Sequence, residues 1–570
     1  MVRYLNGEME SQQNIKTVKW RNGMKVIVIG LDGGSFSVLK PLAQQGYMPN
    51  LAKLLKEGVH GELISCIPPV TGPAWASFLT GKQPGKHGIF DFFYKPAGTI
   101  ERQPVNFTLI KSKTILAYLT AAQKKIGLVN VPLTYPPPKV NGFIITGLLT
   151  PSREVNFTYP PELKKEIEDK YGPYILDVFW QKYDEKTVHL FLKELRECEK
   201  QRINIALDLF TKEKPDFFMV VFTGTDRIQH ALWHYIEPII QAKAKLDKIT
   251  KEILAYYTLI DEAIGKFISK IDEKTFLFLM SDHGFGPLQR KFYINYWLWK
   301  EGLLAFYEKA VRRYFLLRNL RYLAHKLALR FHLLEPLKKI IKGKSDLKKR
   351  ALMYAFLDFI DWSKTKAFSV SGTEQGIYIN VKGREPYGIV APGEEYEKIR
   401  TYIIEKLKEL KDPFSGQKLV SHIYKKEEVY HGPYADQAPD IIFFLRNGLY
   451  LADVQLRNYL WQEVNWLTGR GTHRLEGIFM AYGQEIKKGQ TLPKAHITDL
   501  APTILYALGM AIPTDMDGRV LKEIFKEEFT KVNPVIKIKD DEKEVKREDF
   551  TFSQEEKEEV LEKLKDLGYL

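Results

Sequence analysis

Eight short, continuous apolar runs constrain this 570-residue chain more than any other feature. They are MKVIVIGLD (24–32), KIGLVNV (125–131), GFIITG (142–147), FFMVVF (217–222), TFLFLMSD (275–282), GIYIN (376–380), DIIFFL (440–445) and GIFMAYG (477–483). Runs without polar alternation read as strands buried on both faces. Such strands need helices above and below, and stretches such as 37–58 and 253–271 carry apolar residues at helical spacing. The alternation predicts an α/β fold, a mostly parallel sheet with helices on both faces. The expected divisions are an N-terminal arm over 1–23, a core in two parts over 24–300 and 366–530, a basic helical insertion over 301–365, and a charged linker with a helix over 531–570. Ser553 and Glu556 form a capping-box pattern at the start of that last helix.

Charge is spread unevenly. The net charge is +15, and residues 301–350 hold 14 Lys/Arg against 4 Asp/Glu. The excess is a local patch rather than a chain-wide basic coat, so nucleic acid is not the expected partner. In 301–350, Phe, Leu and Tyr interleave with Arg and Lys. That pattern fits a lid over a site or an element touching an anionic membrane surface. The only cysteines, Cys66 and Cys198, exclude a disulfide scaffold and read as reduced core residues. No apolar run is long enough for a spanning helix and no apolar leader precedes residue 24. The expected location is cytoplasmic, with membrane association through 301–350 as the variant.

In a parallel sheet, ligands gather at the carboxyl ends of the strands. Asp32 follows the first run. Asp226 follows the fourth, with His230 four residues on. Asp282 and His283 close the fifth, and His473 lies in GRGTHR ahead of the last. Singly, each has a plain alternative: a helix N-cap for Asp32, a helix-surface pair for Asp226 and His230, a turn residue beside a core histidine for Asp282 and His283. Together they put three carboxylates and three imidazoles on one sheet edge, two sets of three protein ligands. Mixed sets with open positions suit Zn²⁺ or Mn²⁺ in catalytic sites. The loop 67–92 adds Thr71, just before a short helical stretch ending at Thr80-Gly81. A threonine hydroxyl needs a metal or a base to become a nucleophile, and a helix N-terminus favours an anionic phosphate. Thr71 could equally be an N-cap.

These residues resemble the alkaline phosphatase superfamily, most closely its type I phosphodiesterase/nucleotide pyrophosphatase branch and related phosphohydrolase/phosphomutase proteins. The marks are V-I-G-L-D-G at 28–33, P-x-T-x-P-x-W at 69–75 leading to T-G-x-x-P-G-x-H-G-I at 80–89, T-D-x-x-x-H at 225–230, S-D-H-G-F at 281–285, G-x-H at 471–473 and D-L-A-P-T-I-L at 499–505. The resemblance covers about 24–300 and 360–525. It implies an alkaline phosphatase-like core and two divalent ions, Zn before Mn. One ion would be held by Asp226, His230 and His473. The other would be held by Asp32, Asp282 and His283, with Thr71 as an exchangeable ligand. The implied mechanism is double displacement: Thr71 attacks phosphorus, and water then hydrolyses the phosphothreonine. Gly72, Trp75 and His87 are candidate substrate contacts, although His87 also has a structural place in the turn P-G-K-H-G-I.

Departures from the pattern narrow the reading. Sulfatases of the superfamily use C-x-P-x-R; here Thr71 stands for the cysteine and Trp75 for the arginine, which disfavours a sulfatase. No arginine sits beside Thr71 to grip a phosphate dianion, which leans toward diesters. Ala74 stands where nucleotide pyrophosphatases usually carry asparagine. The expected activity is a phosphodiesterase acting on a phosphate-ester small molecule or lipid head group. The alternatives are a phosphomutase or phosphotransferase, a phosphomonoesterase, and a non-catalytic lipid- or nucleic-acid-binding protein on this fold. The oligomeric state is left open.

Overall fold

The computed structural model describes residues 23–96, 98–184, 186–316, 356–465, 469–540 and 550–568. Nearly all of the N-terminal arm, the 317–355 stretch of the basic insertion and the 541–549 linker lie outside the described residues.

The main sheet is built from β1 (Lys25–Leu31), β2 (Val59–Ile64), β3 (Ile126–Val131), β4 (Gly142–Thr146), β5 (Thr158–Tyr159), β6 (Phe217–Phe222), β7 (Thr275–Met280), β8 (Glu476–Tyr482) and β9 (Gln490–Thr491). Their order is β9-β2-β8-β7-β1-β6-β3-β4-β5, with Ala495–His496 also pairing to β2. The centre is parallel: β1 pairs β6 and β7, and β3 pairs β4 and β6. β8 enters antiparallel between β2 and β7.

Continuous apolar runs at the centre follow from two cores, one on each face. On β1, Val26 and Val28 face one core while Ile27, Ile29 and Leu31 face the other; on β6, Phe217, Met219 and Val221 alternate with Phe218, Val220 and Phe222 in the same way. Helices Val188–Glu213 and Lys248–Ile268 cover one face. The amphipathic stretch 37–58 is two helices, Phe36–Gln44 and Pro49–Glu57, parted at Gly46, where φ is +83°. β2 does not read as an apolar run, because its buried residues alternate with half-buried or exposed ones, among them His60 and Glu62.

The late runs do not all join this sheet. Gly376–Ile379 and Ile441–Leu445 belong to a second, seven-stranded sheet with Arg290–Tyr293, Ala367–Phe368, Val420–Lys425, Tyr450–Asp453 and Trp461–Glu463. It is antiparallel except where Arg290–Tyr293 runs parallel to Tyr450–Asp453. This sheet has its own core, which takes in Leu303, Leu304 and Phe306 from one flank of the basic segment and Phe356, Leu357 and Ile360 from the other. The single sheet expected from the sequence is therefore two sheets. The second lobe is rooted at a two-stranded ladder, Gly284–Pro287 against Gly471–Arg474.

The second lobe also grips the loop around Thr71. Tyr430 OH donates to Ile67 O at 2.8 Å, and Tyr434 N to Gly85 O at 2.9 Å. Buried between the lobes, Arg102 forks onto Glu374 at 2.6 and 3.2 Å, and Thr373 Oγ1 donates to Asp91 Oδ1 at 2.5 Å. The C-terminal helix, Gln554–Asp566, is docked. Its box bonds join Ser553 N to Glu556 Oε2 at 2.8 Å and Glu556 N to Ser553 Oγ at 3.2 Å. Val560, Leu564 and Leu567 enter the first core. No helix among the described residues is long and apolar enough to cross a membrane.

Burial, and then Glu374, push the Asp91 carboxyl up to about 6 from 3.8. A raised carboxyl pKa gives stability that is full below the unfolded value and lost as pH rises through the folded one. Asp91→Asn is therefore expected to be more stable than wild type above pH 7, by up to about 3 kcal/mol, and to melt correspondingly higher. The difference should close toward pH 4. Melting curves across that range check it, and a gap that widens on acidification would contradict it.

Candidate metal centre and nucleophile

The candidate residues come together at the carboxyl edge of the parallel strands. Asp32 follows β1 directly, and its backbone is tied down: Asp32 N donates to Phe222 O at 3.0 Å and Thr225 Oγ1 to Asp32 O at 2.5 Å. The chain must then turn sharply, and Gly33 takes φ +66°. A Cβ there would lie 2.9 Å from Phe285. Gly33 N donates to Asp282 Oδ1 at 3.2 Å, so the turn after β1 orients the carboxylate after β7. Ser35, not Asp32, caps the following helix.

Asp226 and His230 lie in the helix Gly224–Ile240, which starts just after β6. They are not a surface pair, since both are buried. His230 Nε2 is 3.4 Å from Asp226 Oδ1, and His473 Nε2 is 3.3 Å from the same oxygen. The two imidazole Nε2 atoms are 3.1 Å apart. The far nitrogens face backbone carbonyls, His230 Nδ1 at 3.0 Å from Gly471 O and His473 Nδ1 at 2.9 Å from Pro69 O. This aims both Nε2 atoms into the site.

His283 Nε2 lies 3.6 Å from Asp32 Oδ1, 3.3 Å from Asp282 Oδ2 and 3.4 Å from Thr71 Oγ1. Its ring stacks on His473 with centroids 3.7 Å apart. Two ligand-like groups therefore stand side by side: Asp32, Asp282 and His283, and Asp226 with His473 and either His230 or His283.

Thr71 is the first residue of the helix Thr71–Thr80; Val70 is the N-cap, so the Thr71 hydroxyl is not spent on capping. It points toward His283 from a buried position. In the first turn of a helix, N–H groups lack intrahelical partners. Pro73 has none to give, which leaves those of Thr71 and Gly72 beside the hydroxyl.

Trp75 and His87, two of the expected substrate contacts, are both buried in packing, which for His87 is the structural place in the turn that its motif also allows. Trp75 is wholly buried against the sheet, where a Cβ on Gly30 would lie 2.9 Å from its ring. The helix carrying it is buried on every side, so its apolar residues pack rather than line a pocket. His87 is also wholly buried; its Nε2 lies 3.0 Å from Ser77 Oγ and its Nδ1 accepts from Ile89 N at 3.2 Å. Burial, and then Lys82, depress its pKa to about 3, as for a neutral structural histidine. Cys66 and Cys198 are free and buried, with burial pushing both thiols up to about 12.

The donor set fits divalent ions. Asp32 Oδ1 and Oδ2, Asp226 Oδ1 and Asp282 Oδ2 are buried oxygens without a hydrogen-bond partner. Such oxygens are costly unless a cation or proton satisfies them. Burial, with Asp282 and Asp226 alongside, raises Asp32 well above the ordinary carboxylate range; burial pushes Asp282 up to about 8. Asp226 is held well below it despite burial, by His230 and Arg227. Beside the site opens a cavity of about 1860 Å³, bordered by Pro69, Val70, His230 and His473 and walled by one side of the C-terminal helix, including Glu555 and Glu558.

Sequence reading passes over three supporting groups. Arg227 Nη1 donates to Asp226 Oδ2. Gln229 Nε2 donates to Gly33 O at 2.8 Å, and Ser281 Oγ bridges Gly34 O and Ile478 N at 2.8 Å each. Arg227 and Gln229 sit inside T-D-R-I-Q-H, but nothing in a string of residues says that this stretch of helix is buried.

The family described as type I phosphodiesterase / nucleotide pyrophosphatase matches residues 26–459. Among solved structures, the chain is similar to an inactive murine ectonucleotide pyrophosphatase/phosphodiesterase 5 in complex with AMP, at 13% identity and TM-score 0.49, over 88% of this chain and 100% of that one. It is also similar to phosphonoacetate hydrolase from Sinorhizobium meliloti 1021 in complex with phosphonoformate, at 14% identity and TM-score 0.47, over 87% of this chain and 98% of that one. No curated protein matches it in sequence.

If cations normally satisfy the three carboxylates, removing one carboxylate relieves the metal-free protein. Asp282→Asn is expected to raise the melting temperature of chelator-treated protein by a few degrees. It should also abolish most of the rise that Zn²⁺ or Mn²⁺ gives wild type. Thermal melts with and without ion check both; a variant that melts lower without metal and still responds fully to it would refute the assignment.

Proposed function

The chain belongs to the type I phosphodiesterase/nucleotide pyrophosphatase family, and on that premise we propose that this phosphate-ester-cleaving enzyme is a two-metal phosphodiesterase working through a phosphothreonine at Thr71. The observation that carries this reading is the place of the Thr71 hydroxyl. It stands in the first turn of a buried helix, 3.4 Å from His283 Nε2, beside two groups of ligand-like side chains.

Asp226, His230 and His473 would hold one divalent ion, and Asp32, Asp282 and His283 the other. When bound, the ions would act as Lewis acids, polarising the phosphoryl oxygen and activating the nucleophile. Thr71 Oγ1, giving up its proton to solvent, attacks phosphorus in line; the P–O bond to one alcohol breaks, that alcohol leaves with a proton from solvent, and the phosphoryl group, still carrying its other ester, passes to Thr71. Water then attacks phosphorus of this esterified phosphothreonine; the bond to Thr71 Oγ1 breaks, the phosphomonoester is released, and a proton from the water restores the hydroxyl. Throughout, the N–H groups of Thr71 and Gly72 face the phosphoryl oxygens as fixed donors that need no reorganisation.

Two features favour a diester over a monoester. Arg102 and Arg227, both buried near this edge, are engaged by carboxylates, Arg102 by Glu374 and Arg227 by Asp226 and Asp177. Neither is placed to grip a phosphate dianion. The cavity also exceeds the roughly 300–1,000 Å³ usual for small-molecule sites, which leaves room for a bulky second ester.

The test compares bis-p-nitrophenyl phosphate with p-nitrophenyl phosphate on metal-loaded enzyme, with metal content measured. The diester should turn over faster, with about two ions bound. Thr71→Ala should lose at least about a thousandfold while keeping its ions. Faster monoester cleavage would overturn the diester assignment. Undiminished turnover by Thr71→Ala would overturn the covalent route, and a phosphothreonine that forms but passes its phosphoryl group only to an added alcohol would indicate a transferase.

A further inference from the structure

Resting on the two-metal reading above, we infer that Arg227 is a positioning residue: with Asp177 it clamps one oxygen of Asp226, so that the other alone faces the ion held with His230 and His473. Asp226 Oδ1 is the oxygen between the two imidazoles, at 3.4 and 3.3 Å, and it has no hydrogen-bond partner. Asp226 Oδ2 is taken by Arg227 Nη1. The rest of the guanidinium fork is filled from the other side, where Nε and Nη2 donate to Asp177 Oδ1 and Oδ2 at 3.2 and 2.7 Å. Arg227 is wholly buried. A buried cation persists only where its partners hold it well, and this one is paired on both edges of its plane.

The clamp is anchored beyond the sheet. Asp177 comes from the irregular segment between Gly172 and Trp180. That segment is held by a second buried arginine, Arg202, whose Nη2 donates to Leu176 O at 3.1 Å. Arg202 Nη1 donates to Glu199 Oε2 at 2.8 Å, and Glu199 Oε1 accepts from Gly224 N at 2.8 Å, at the start of the helix that carries Asp226. One ligand is thus braced through its own side chain and through the first residue of its helix. Asp282 is oriented independently, by Gly33 N.

A carboxylate released from this clamp is free to rotate, chelate with both oxygens or turn toward the neighbouring ion. The loss should therefore fall on one ion and spare the other. A lysine keeps the charge but cannot bridge two carboxylates with one plane.

The experiment titrates chelator-stripped full-length protein with Mn²⁺ by calorimetry, for wild type, Arg227→Gln, Arg227→Lys and Asp177→Asn, with melting curves in parallel. Wild type should take up two ions. Arg227→Gln should weaken one site about 10- to 100-fold and leave the other within about twofold. Arg227→Lys should recover little of this, and Asp177→Asn should shift the same site by less. Two unchanged sites, or two sites weakened together in step with lower melting, would overturn the inference. Should Arg227→Gln fail to fold, the single-site shift in Asp177→Asn decides. Fewer than two ions on wild type would overturn the two-metal reading itself, and with it this inference, before any variant is compared.

Discussion

Three carboxylates buried within reach of one another are the constraint on which the rest of this structure depends. Asp32, Asp226 and Asp282 are withdrawn from water, and four of their oxygens have no hydrogen-bond partner. Left alone they repel, and burial magnifies the repulsion because the surroundings screen it poorly. The fold keeps them together by rigid attachment. Each follows or lies close behind a central strand. The backbone around them is cross-linked by Thr225, Gln229 and Ser281, and Arg227 sets its guanidinium against Asp226. Stability is surrendered locally to hold groups where cations can use them.

The second lobe contributes to the same economy of position. Its contacts converge on the loop that presents Thr71, through Tyr430, Tyr434 and Thr373. The ligand-like carboxylates and the Thr71 loop thus have separate supports: the carboxylates follow strands of the main sheet, while the second lobe holds the loop at Ile67, Gly85 and Asp91. The Arg102–Glu374 pair with Asp91 is buried, so the join between lobes is specific in geometry but sensitive to protonation.

Much of this is legible in the residues, for reasons that can be named. Central strands betray themselves because burial on both faces removes polar alternation. Polar residues at or just past the ends of such strands then mark the edge where the candidate site lies. This is how Asp32, Asp226, Asp282 and His283 stand out before any coordinates. His473 obeys a different logic: β8 runs antiparallel, so its beginning, not its end, reaches that edge, and the histidine precedes its strand. β2 escapes because its residues alternate like a half-exposed strand. Gly376–Ile379 and Ile441–Leu445 are equally apolar yet build another sheet, since run composition reports burial and not partnership. Trp75 and His87 lie in the motif that carries Thr71, yet both turn away into packing, because a motif records proximity in sequence and not the direction of a side chain. Arg227 is hidden by the opposite prejudice, as arginine ordinarily reads as surface.

The ladder that roots the second lobe pairs Phe285 with His473 and Gly284 with Arg474. It therefore staples the turn bearing His283 directly to the strand bearing His473. Topologically, everything between Pro287 and Gly471 is one very long hairpin loop closed by these rungs. Loop closure costs grow only slowly with length, so the size of that loop matters little to the staple. A lobe of another shape could be exchanged between the same rungs and leave these two histidines in register. The ligand-like cluster and the lobe beside it are, in this chain, free to diverge at different rates.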